Sequence, residues 1–309
     1  MEAIRARAQL LRSVRDFFYS REVLEVETPI LSCAGLPDPH LHSFQANSFF
    51  LHTSPEFPMK RLLASGSGSI YQICKVFRQE EQGRLHNPEF SMLEWYRDGY
   101  DYRSLMKEVA QLFAALLVDQ IELSAVETIS YQDAFLQHTG IDPFAETPDG
   151  LMEYLRAVGI DWQASVELDR QALLDLILLH QIEPKLGKGR LTFLIDYPAE
   201  QAALARLAQT SQGHWIAERF EVYFQGIELA NGYTELANAD EQRQRFAADQ
   251  RYRAAQSLVQ IPVDQRFLAA LEAGLPACAG VAVGLDRVLM LQLHKQSLAE
   301  VIAFPVDRA

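Results

Sequence analysis

Apolar positions recur at helical spacing over residues 4–20, where Ile4, Leu10, Leu11, Val14, Phe17 and Phe18 form one stripe and arginines take the other side. That pattern predicts an amphipathic N-terminal helix. The next run, Leu24-Glu25-Val26-Glu27-Thr28-Pro29, alternates like a short strand and is stopped by proline. Residues 37–42 read as loop. Residues 70–77 and 90–96 have strand character on either side of a polar stretch, 78–89, which predicts an antiparallel hairpin with a long loop. A second amphipathic helix is expected over 102–118. Residues 128–212 read as mostly helical, punctuated by Pro143, Pro148 and Pro184, with one strand at 191–195. A strand over 220–229 carries Glu221 and Glu228, and residues 281–291 close the pattern as strand, glycine turn and helix. No repeat or low-complexity tract interrupts the run, so the expectation is one α+β domain over 1–309 with a mostly helical elaboration at about 128–212.

Composition narrows the class. Hydrophobic residues make up 49% and charged residues 22% of the 309 positions, ordinary globular values that exclude intrinsic disorder. The 28 Lys+Arg against 41 Asp+Glu leave a formal charge of −13, which argues against coating nucleic acid through its phosphates. A nucleotide substrate stays open, since a few local arginines suffice to hold a polyphosphate. Cys33, Cys74 and Cys278 are far apart, an odd count that speaks against a disulfide framework and a structural zinc site. No stretch approaches the ~18 apolar residues of a membrane span, and the N-terminus lacks the apolar core of a signal peptide. The cytoplasm is the expected compartment.

Chemistry concentrates in residues 76–96. A strand ends at Arg78, a polar loop follows with Gln79, Glu80, Glu81, Arg84, His86 and Asn87, and a return strand puts Glu94 and Tyr96 on one face because alternate residues point the same way. A fork-shaped guanidinium beside carboxylates suits an anionic ligand accompanied by magnesium. A solvated hairpin with a few surface ion pairs fits the residues alone about equally well.

Arg78-x-Glu80 followed by His86-Asn-Pro-Glu-Phe90-Ser-Met-Leu-Glu94-x-Tyr96 resembles motif 2 of the class II aminoacyl-tRNA synthetases in its lysine-type form. The N-terminal helix with Leu24-Glu-Val-Glu-Thr-Pro29 resembles motif 1, the family's dimer interface. Gly280-Val-Ala282-Val-Gly284-Leu-Asp286-Arg287 resembles motif 3. Glu228-Leu-Ala-Asn231-Gly-Tyr233-Thr-Glu235 resembles the lysine-pocket strand, and Thr53-Ser54-Pro55-Glu56 with Lys60-Arg61-Leu62 the segment that holds the substrate amino group. The blocks run from about residue 5 to 305 in the family's order.

The resemblance implies an antiparallel sheet flanked by helices, the class II catalytic domain, and a set of roles. Arg78 would bridge the substrate carboxylate and the α-phosphate of ATP. Gln79, Glu80, Asn87 and Leu229 would help to fix the nucleotide, His86 and Arg287 its γ-phosphate end, and Phe90 would stack on adenine with Arg287 over the other face. Gly284 would let the backbone approach the nucleotide. Glu221 and Glu228 would hold magnesium. Ser54, Pro55 and Glu56 would meet one substrate ammonium, and Glu94, Tyr96, Asn231, Tyr233 and Glu235 the other end of the amino acid. Gln79 stands where the family usually has asparagine.

The chain begins at the motif 1 helix, with no anticodon-binding barrel before it. It therefore resembles the barrel-less paralogues of lysyl-tRNA synthetase, which activate lysine or (R)-β-lysine and transfer it to a lysine ε-amino group of elongation factor P. A homodimer is implied, with tRNA disfavoured as acceptor. A paralogue making a free small molecule and a non-catalytic regulatory paralogue are the alternatives; an acidic pocket disfavours the first, and Arg78, Glu80, Glu228 and Arg287 together disfavour the second. Ala282, where lysyl-tRNA synthetases carry glycine, is expected to point its methyl toward the substrate and to disfavour α-lysine. Gly66-Ser-Gly68 and Gly187-Lys-Gly189 read as turns, His40 and His42 as loop residues without a metal cluster, and Cys74 as packing.

Overall fold

In the computed structural model, which describes residues 1–39, 41–79, 82–118, 120–160 and 168–309, the N-terminal stripe forms the helix Glu2–Tyr19 and buries Leu10, Val14, Phe17 and Phe18. Phe18 stacks on Tyr71 at 4.5 Å between ring centroids and meets Trp95 edge-on at 5.2 Å. One aromatic side chain thus fixes the helix to two strands, burying large apolar area with the offset and edge geometries that rings prefer.

The chain divides into two compact units, Met1–Val118 with Thr234–Ala309, and Asp119–Tyr233. In the first, the expected hairpin forms from the strands Ile70–Phe77 and Glu89–Asp98, antiparallel, with Gln72 opposite Glu94. Cys278–Gly284 pairs antiparallel on the other side of Glu89–Asp98, placing Gly280 opposite Tyr96 and Ala282 opposite Glu94. The strand expected over 24–29 is only Leu24–Glu25, parallel to Ile70–Phe77. Beyond Val26, whose N–H reaches Tyr71 O, the segment leaves the sheet ahead of Pro29. A small three-stranded sheet, Leu31–Ser32, Phe49–Leu51 and Gln45–Ala46, is also present, its strands too short for alternation to reveal.

The helix Tyr102–Leu116 starts at Asp101, whose carboxylate accepts from Ser104 N–H at 2.7 Å. The helix Glu56–Ala64 is set by Phe57, stacked on Phe267 of the helix Gln265–Gly274 at 4.4 Å. That contact turns Glu56 and Lys60 inward. The helix Leu285–Gln292 follows directly on the strand Cys278–Gly284.

The second unit is more mixed than the sequence suggests. Its helices Tyr131–Thr139, Pro148–Ala157 and Arg170–Ile177 start at Ser130, Thr147 and Asp169, each capping a backbone N–H. They bury Phe135, Leu151 and Leu174 in one cluster. Strands Glu127–Ser130, Thr192–Pro198 and Leu207–Gln209 lie among and after them, the second where a strand was expected over 191–195, and Trp215–Phe224 follows beyond residue 212. The single strand expected over 220–229 is a hairpin, Trp215–Phe224 paired antiparallel with Ile227–Thr234. Gln225 and Gly226 both have positive φ, 54° and 73°, the turn whose twist matches a two-residue hairpin. An apolar run on both sides hides that turn from a periodicity argument. Gly187 has a φ of 69°, and a Cβ there would lie 2.6 Å from Phe224 Cα, so its glycine is a packing requirement.

Candidate active site

Three carboxylates and one ammonium converge in the first unit. Glu94 projects from the strand Glu89–Asp98; its Oε1 accepts from Tyr96 Oη at 2.6 Å and its Oε2 from Ser54 Oγ at 2.6 Å. Ser54 Oγ also accepts the Glu56 N–H at 3.0 Å, which ties the turn before the helix to the pocket. Glu56 opens the helix Glu56–Ala64, after Pro55, and Lys60 stands one turn further on with its Nζ 2.6 Å from Glu56 Oε1. The same Nζ forms an ion pair with Glu235, which follows the strand Ile227–Thr234 and is fixed by its N–H to Cys278 O at 3.0 Å. Lys60 is 1% exposed, Glu94 2% and Glu235 4%.

The strand Cys278–Gly284 forms the neighbouring wall. Ala282 stands opposite Glu94, so their side chains share a face. A Cβ at Gly280 would clash with the Tyr96 ring and lie 2.6 Å from Glu235 Oε1, so this pocket has no room for alanine there. At Gly284 a Cβ would meet, among the described residues, the Arg287 side chain at an ordinary 3.9 Å, so packing there makes no demand for glycine.

Burial dominates the electrostatics. It pushes Glu94 up to about 7, helped by the Glu56 charge, while hydrogen bonds from Ser54 and Tyr96 and the Lys60 charge pull the other way. Glu235 is pushed up to about 8, again by burial first; Lys60 pulls it back, and Glu56 and Glu94 add to the rise. Burial alone would lower Lys60, but the Glu235 and Glu56 carboxylates outweigh it and hold the ammonium above its ordinary value. Glu235 Oε1 accepts no hydrogen bond among the described residues. The pocket thus sets three carboxylates against one ammonium, so a cationic ligand would favour the ionised forms of Glu94 and Glu235 and be favoured by them.

The motif 2 loop lies in the same unit. Arg78 is held by its N–H to Pro88 O at 2.9 Å, and its guanidinium lies 5.2 Å from the Phe90 ring centroid, within 3.4 Å of Thr53 O. Gln79 N–H donates to His42 O at 2.8 Å. Asn87 is buried; its amide donates to Glu89 O at 2.6 Å and accepts from Val306 N–H at 3.1 Å. Arg287 reaches His86 Nε2 at 2.9 Å and Leu85 O at 3.3 Å. Phe90 therefore faces Arg78, and Arg287 meets His86. Glu80, and His40 among the weaker candidates, lie outside the described residues. Asp286 accepts Ser91 N–H at 2.7 Å and pairs with Arg7 of the N-terminal helix, which anchors the helix carrying Arg287.

In the second unit, Glu221 is buried and accepts from Arg219 at 2.5 Å and from Tyr223 Oη at 2.6 Å. Arg219 also donates to Asn231 Oδ1 at 3.1 Å. Burial raises Glu221 above its ordinary value, Arg219 opposes this, and Glu228 on the paired strand adds to it. Leu229 is buried in that strand, and Tyr233 packs against the unit's apolar cluster. Two carboxylates whose charges repel fit a magnesium ion shared with phosphates, since that metal takes one or two carboxylates and fills its shell with other oxygens. Among the described residues there is no group of three or more metal ligands. Glu221 and Glu228 thus fit magnesium as a companion of a nucleotide, not as a self-sufficient protein site.

Sequence reasoning missed two participants. Lys60 entered only as part of a matched segment, although its i+4 spacing from Glu56 in an apolar helix was a usable signal. Arg219, two residues before Glu221 on one strand face, was also overlooked.

The fold and these motifs define a class II tRNA synthetase: the chain belongs to that family (tRNA synthetases class II, D, K and N), which it matches over residues 1–308. Within that family it is similar to proteins named elongation factor P--(R)-beta-lysine ligase. Those from Edwardsiella ictaluri (strain 93-146) and Salmonella typhi are 49% identical over 98% of this chain and 94% of their own length. The one from Pectobacterium carotovorum subsp. carotovorum (strain PC1) is 48% identical over the same shares. No helix among the described residues is long and apolar enough to cross a membrane.

The raised carboxylates set a sign for stability. Between the ordinary carboxylate value and about 7 to 8, the folded chain holds protons on Glu94 and Glu235 that the unfolded chain has lost, so their contribution to stability falls as pH rises through that window. Lys60, raised above its ordinary value, stays charged throughout it. Glu94→Gln should therefore gain roughly 2–3 kcal/mol on the parent between pH 5 and pH 8, read from denaturant midpoints at each pH. A pH-independent difference would contradict the assignment.

Proposed function

We propose that the protein is an ATP-dependent ligase that activates lysine or (R)-β-lysine and transfers it to a lysine ε-amino group of elongation factor P. The buried carboxylates Glu56, Glu94 and Glu235 carry this reading, because a diamino acid neutralises charges that are costly to bury alone. The names of the relatives support the acceptor. An acidic pocket repels aspartate, which argues against the synthetase chemistries built on that substrate.

The reaction has two steps. A carboxylate oxygen of the amino acid attacks the α-phosphorus of ATP, the bond to the β-phosphate oxygen breaks, and pyrophosphate leaves. The acceptor amine then attacks the acyl carbonyl, the carbon–oxygen bond to AMP breaks, and the amine releases a proton as the amide forms. No enzyme nucleophile is required, so catalysis rests on positioning and charge stabilisation. Arg78 neutralises the carboxylate and the α-phosphate as charge builds between them. Gln79, Glu80, Asn87, Leu229 and Gly284 hold the nucleotide. His86 and Arg287, already in contact, take its γ-phosphate end, and Phe90 packs against adenine beside Arg78. Ser54 and Pro55 shape the turn that presents Glu56, while Asn231 and Tyr233 complete the amino-acid site. Glu221 and Glu228 would hold magnesium, which would supply neutralising charge to the phosphates. Two copies pair through the N-terminal helix, a reading supported by the exposed Ile4, Tyr19 and Leu24.

Pyrophosphate exchange with a panel of amino acids tests the activation step. Lysine or (R)-β-lysine should support it and aspartate should not; exchange driven by aspartate would refute the reading. Arg78→Ala should lose about 10²–10³-fold in exchange rate while remaining folded, as removal of one transition-state donor typically does. Near-normal exchange in that variant would remove Arg78 from the mechanism.

Ala282 bears on the choice of isomer. Its methyl shares a face with Glu94, and one methyl in a packed pocket shifts discrimination by about 1–3 kcal/mol. Ala282→Gly should raise kcat/KM for α-lysine relative to β-lysine; an unchanged ratio would place selectivity elsewhere.

A further inference from the structure

The carboxylate pocket contains a cation that the proposed reaction does not use. Lys60 Nζ lies 2.6 Å from Glu56 Oε1, pairs with Glu235, and sits 5.8 Å from the Phe267 ring centroid, in a side chain 1% exposed. A lysine this deep is held by its ion pairs with Glu56 and Glu235. The hydrogen bonds that Glu94 accepts come from Ser54 and Tyr96 and not from Lys60.

We propose that Lys60 is the fixed counter-ion of the amino-acid pocket. Its ammonium balances one of the carboxylates Glu56, Glu94 and Glu235, and the two charges left over match the two ammonium groups of a diamino acid. Lys60 is thus a positioning residue that sets the charge the site presents, and it acts through Glu235 and Glu56 without touching the substrate. The inference rests on the reading of the site as a diamino-acid pocket and goes beyond it by saying what makes the count come to two.

Among the described residues, the titratable groups that face this cation are Glu56 from the helix Glu56–Ala64, Glu94 from the strand Glu89–Asp98, Glu235 after the strand Ile227–Thr234, and Cys278 from the strand Cys278–Gly284; Tyr96 donates to Glu94. Cys74, on the strand Ile70–Phe77, faces Glu94. Burial pushes both thiols up, Cys74 to about 12, so neither titrates between pH 6 and 9. Glu94 and Glu235 are the groups that gain or lose charge there, and the Lys60 charge is what pulls Glu235 down against its burial. Without Lys60, the acids would ionise only at higher pH.

The test measures pyrophosphate exchange with (R)-β-lysine from pH 6 to 9 in the parent, Lys60→Met and Lys60→Arg. In Lys60→Met the acidic limb of kcat/KM for the amino acid should move up by at least one pH unit. Activity should then fall at least tenfold at pH 7 and recover substantially by pH 9, with KM for ATP unchanged. Lys60→Arg, which keeps the charge, should leave the limb where the parent has it. A deficit in Lys60→Met that is equal at every pH would mean that Lys60 only packs the core, and would overturn the proposal.

A measurement on the parent keeps the question open to refutation even if Lys60→Met fails to fold. Titration calorimetry with (R)-β-lysine in buffers of different ionisation enthalpy should show proton release at pH 7 and none at pH 9.5, because the complex holds all the acids ionised. Absence of release at pH 7 would overturn the charge match. No exchange by the parent with any diamino acid would refute the functional reading itself and this inference with it. Normal parent exchange with a pH-independent Lys60→Met deficit would remove this inference alone.

Discussion

The interaction on which the site depends is the ion pairing of a fully buried lysine with the acids of the amino-acid pocket. Burying one carboxylate costs several kcal/mol unless it is paired, and this unit buries Glu94 and Glu235 beside Glu56 within reach of one another. Lys60 makes that tolerable, with Ser54 and Tyr96 each donating to Glu94. Three carboxylates still share one ammonium, an arrangement that a cationic ligand would complete. Several features of the fold follow from it. Gly280 must lack a side chain to admit Tyr96 and Glu235, and the stack of Phe57 on Phe267 must hold the helix that presents Glu56 and Lys60.

The residues proposed to hold the nucleotide are fixed by a different device. Arg78, Asn87 and Arg287 are fixed by backbone groups and by one another, through Pro88 O, Val306 N–H and His86 Nε2. Asp286 joins Ser91 of the motif 2 strand to Arg7 of the N-terminal helix, so motifs far apart in sequence are locked together by one buried carboxylate. Such preorganisation suits a reaction in which the protein supplies geometry and charge but forms no bond to substrate.

Much of this was legible in the sequence, for identifiable reasons. The helix around Phe17 and Phe18 and the hairpin bearing Arg78 and Glu94 follow from periodicities of 3.6 and 2. The motif residues could be placed because their order and spacing match a family. The hairpin at Gln225-Gly226 was not legible, since apolar residues flank the turn on both sides and the deciding fact is two positive φ angles. Of the strands in the second unit, Thr192–Pro198 was legible, whereas Glu127–Ser130 and Leu207–Gln209 are too short for alternation to show. Lys60 was passed over for another reason: a lysine in a sequence reads as surface, and although its spacing from Glu56 hints at that pair, its contact with Glu235 shows only in three-dimensional packing.

The acidic pocket is proposed to serve acyl transfer to a protein. The most direct test is intact-protein mass spectrometry of elongation factor P after incubation with the enzyme, ATP and (R)-β-lysine, followed by peptide mapping. The account predicts a mass increase of one lysyl residue, confined to a single lysine side chain and dependent on ATP. Unmodified elongation factor P, with the amino acid recovered instead on tRNA, would contradict it.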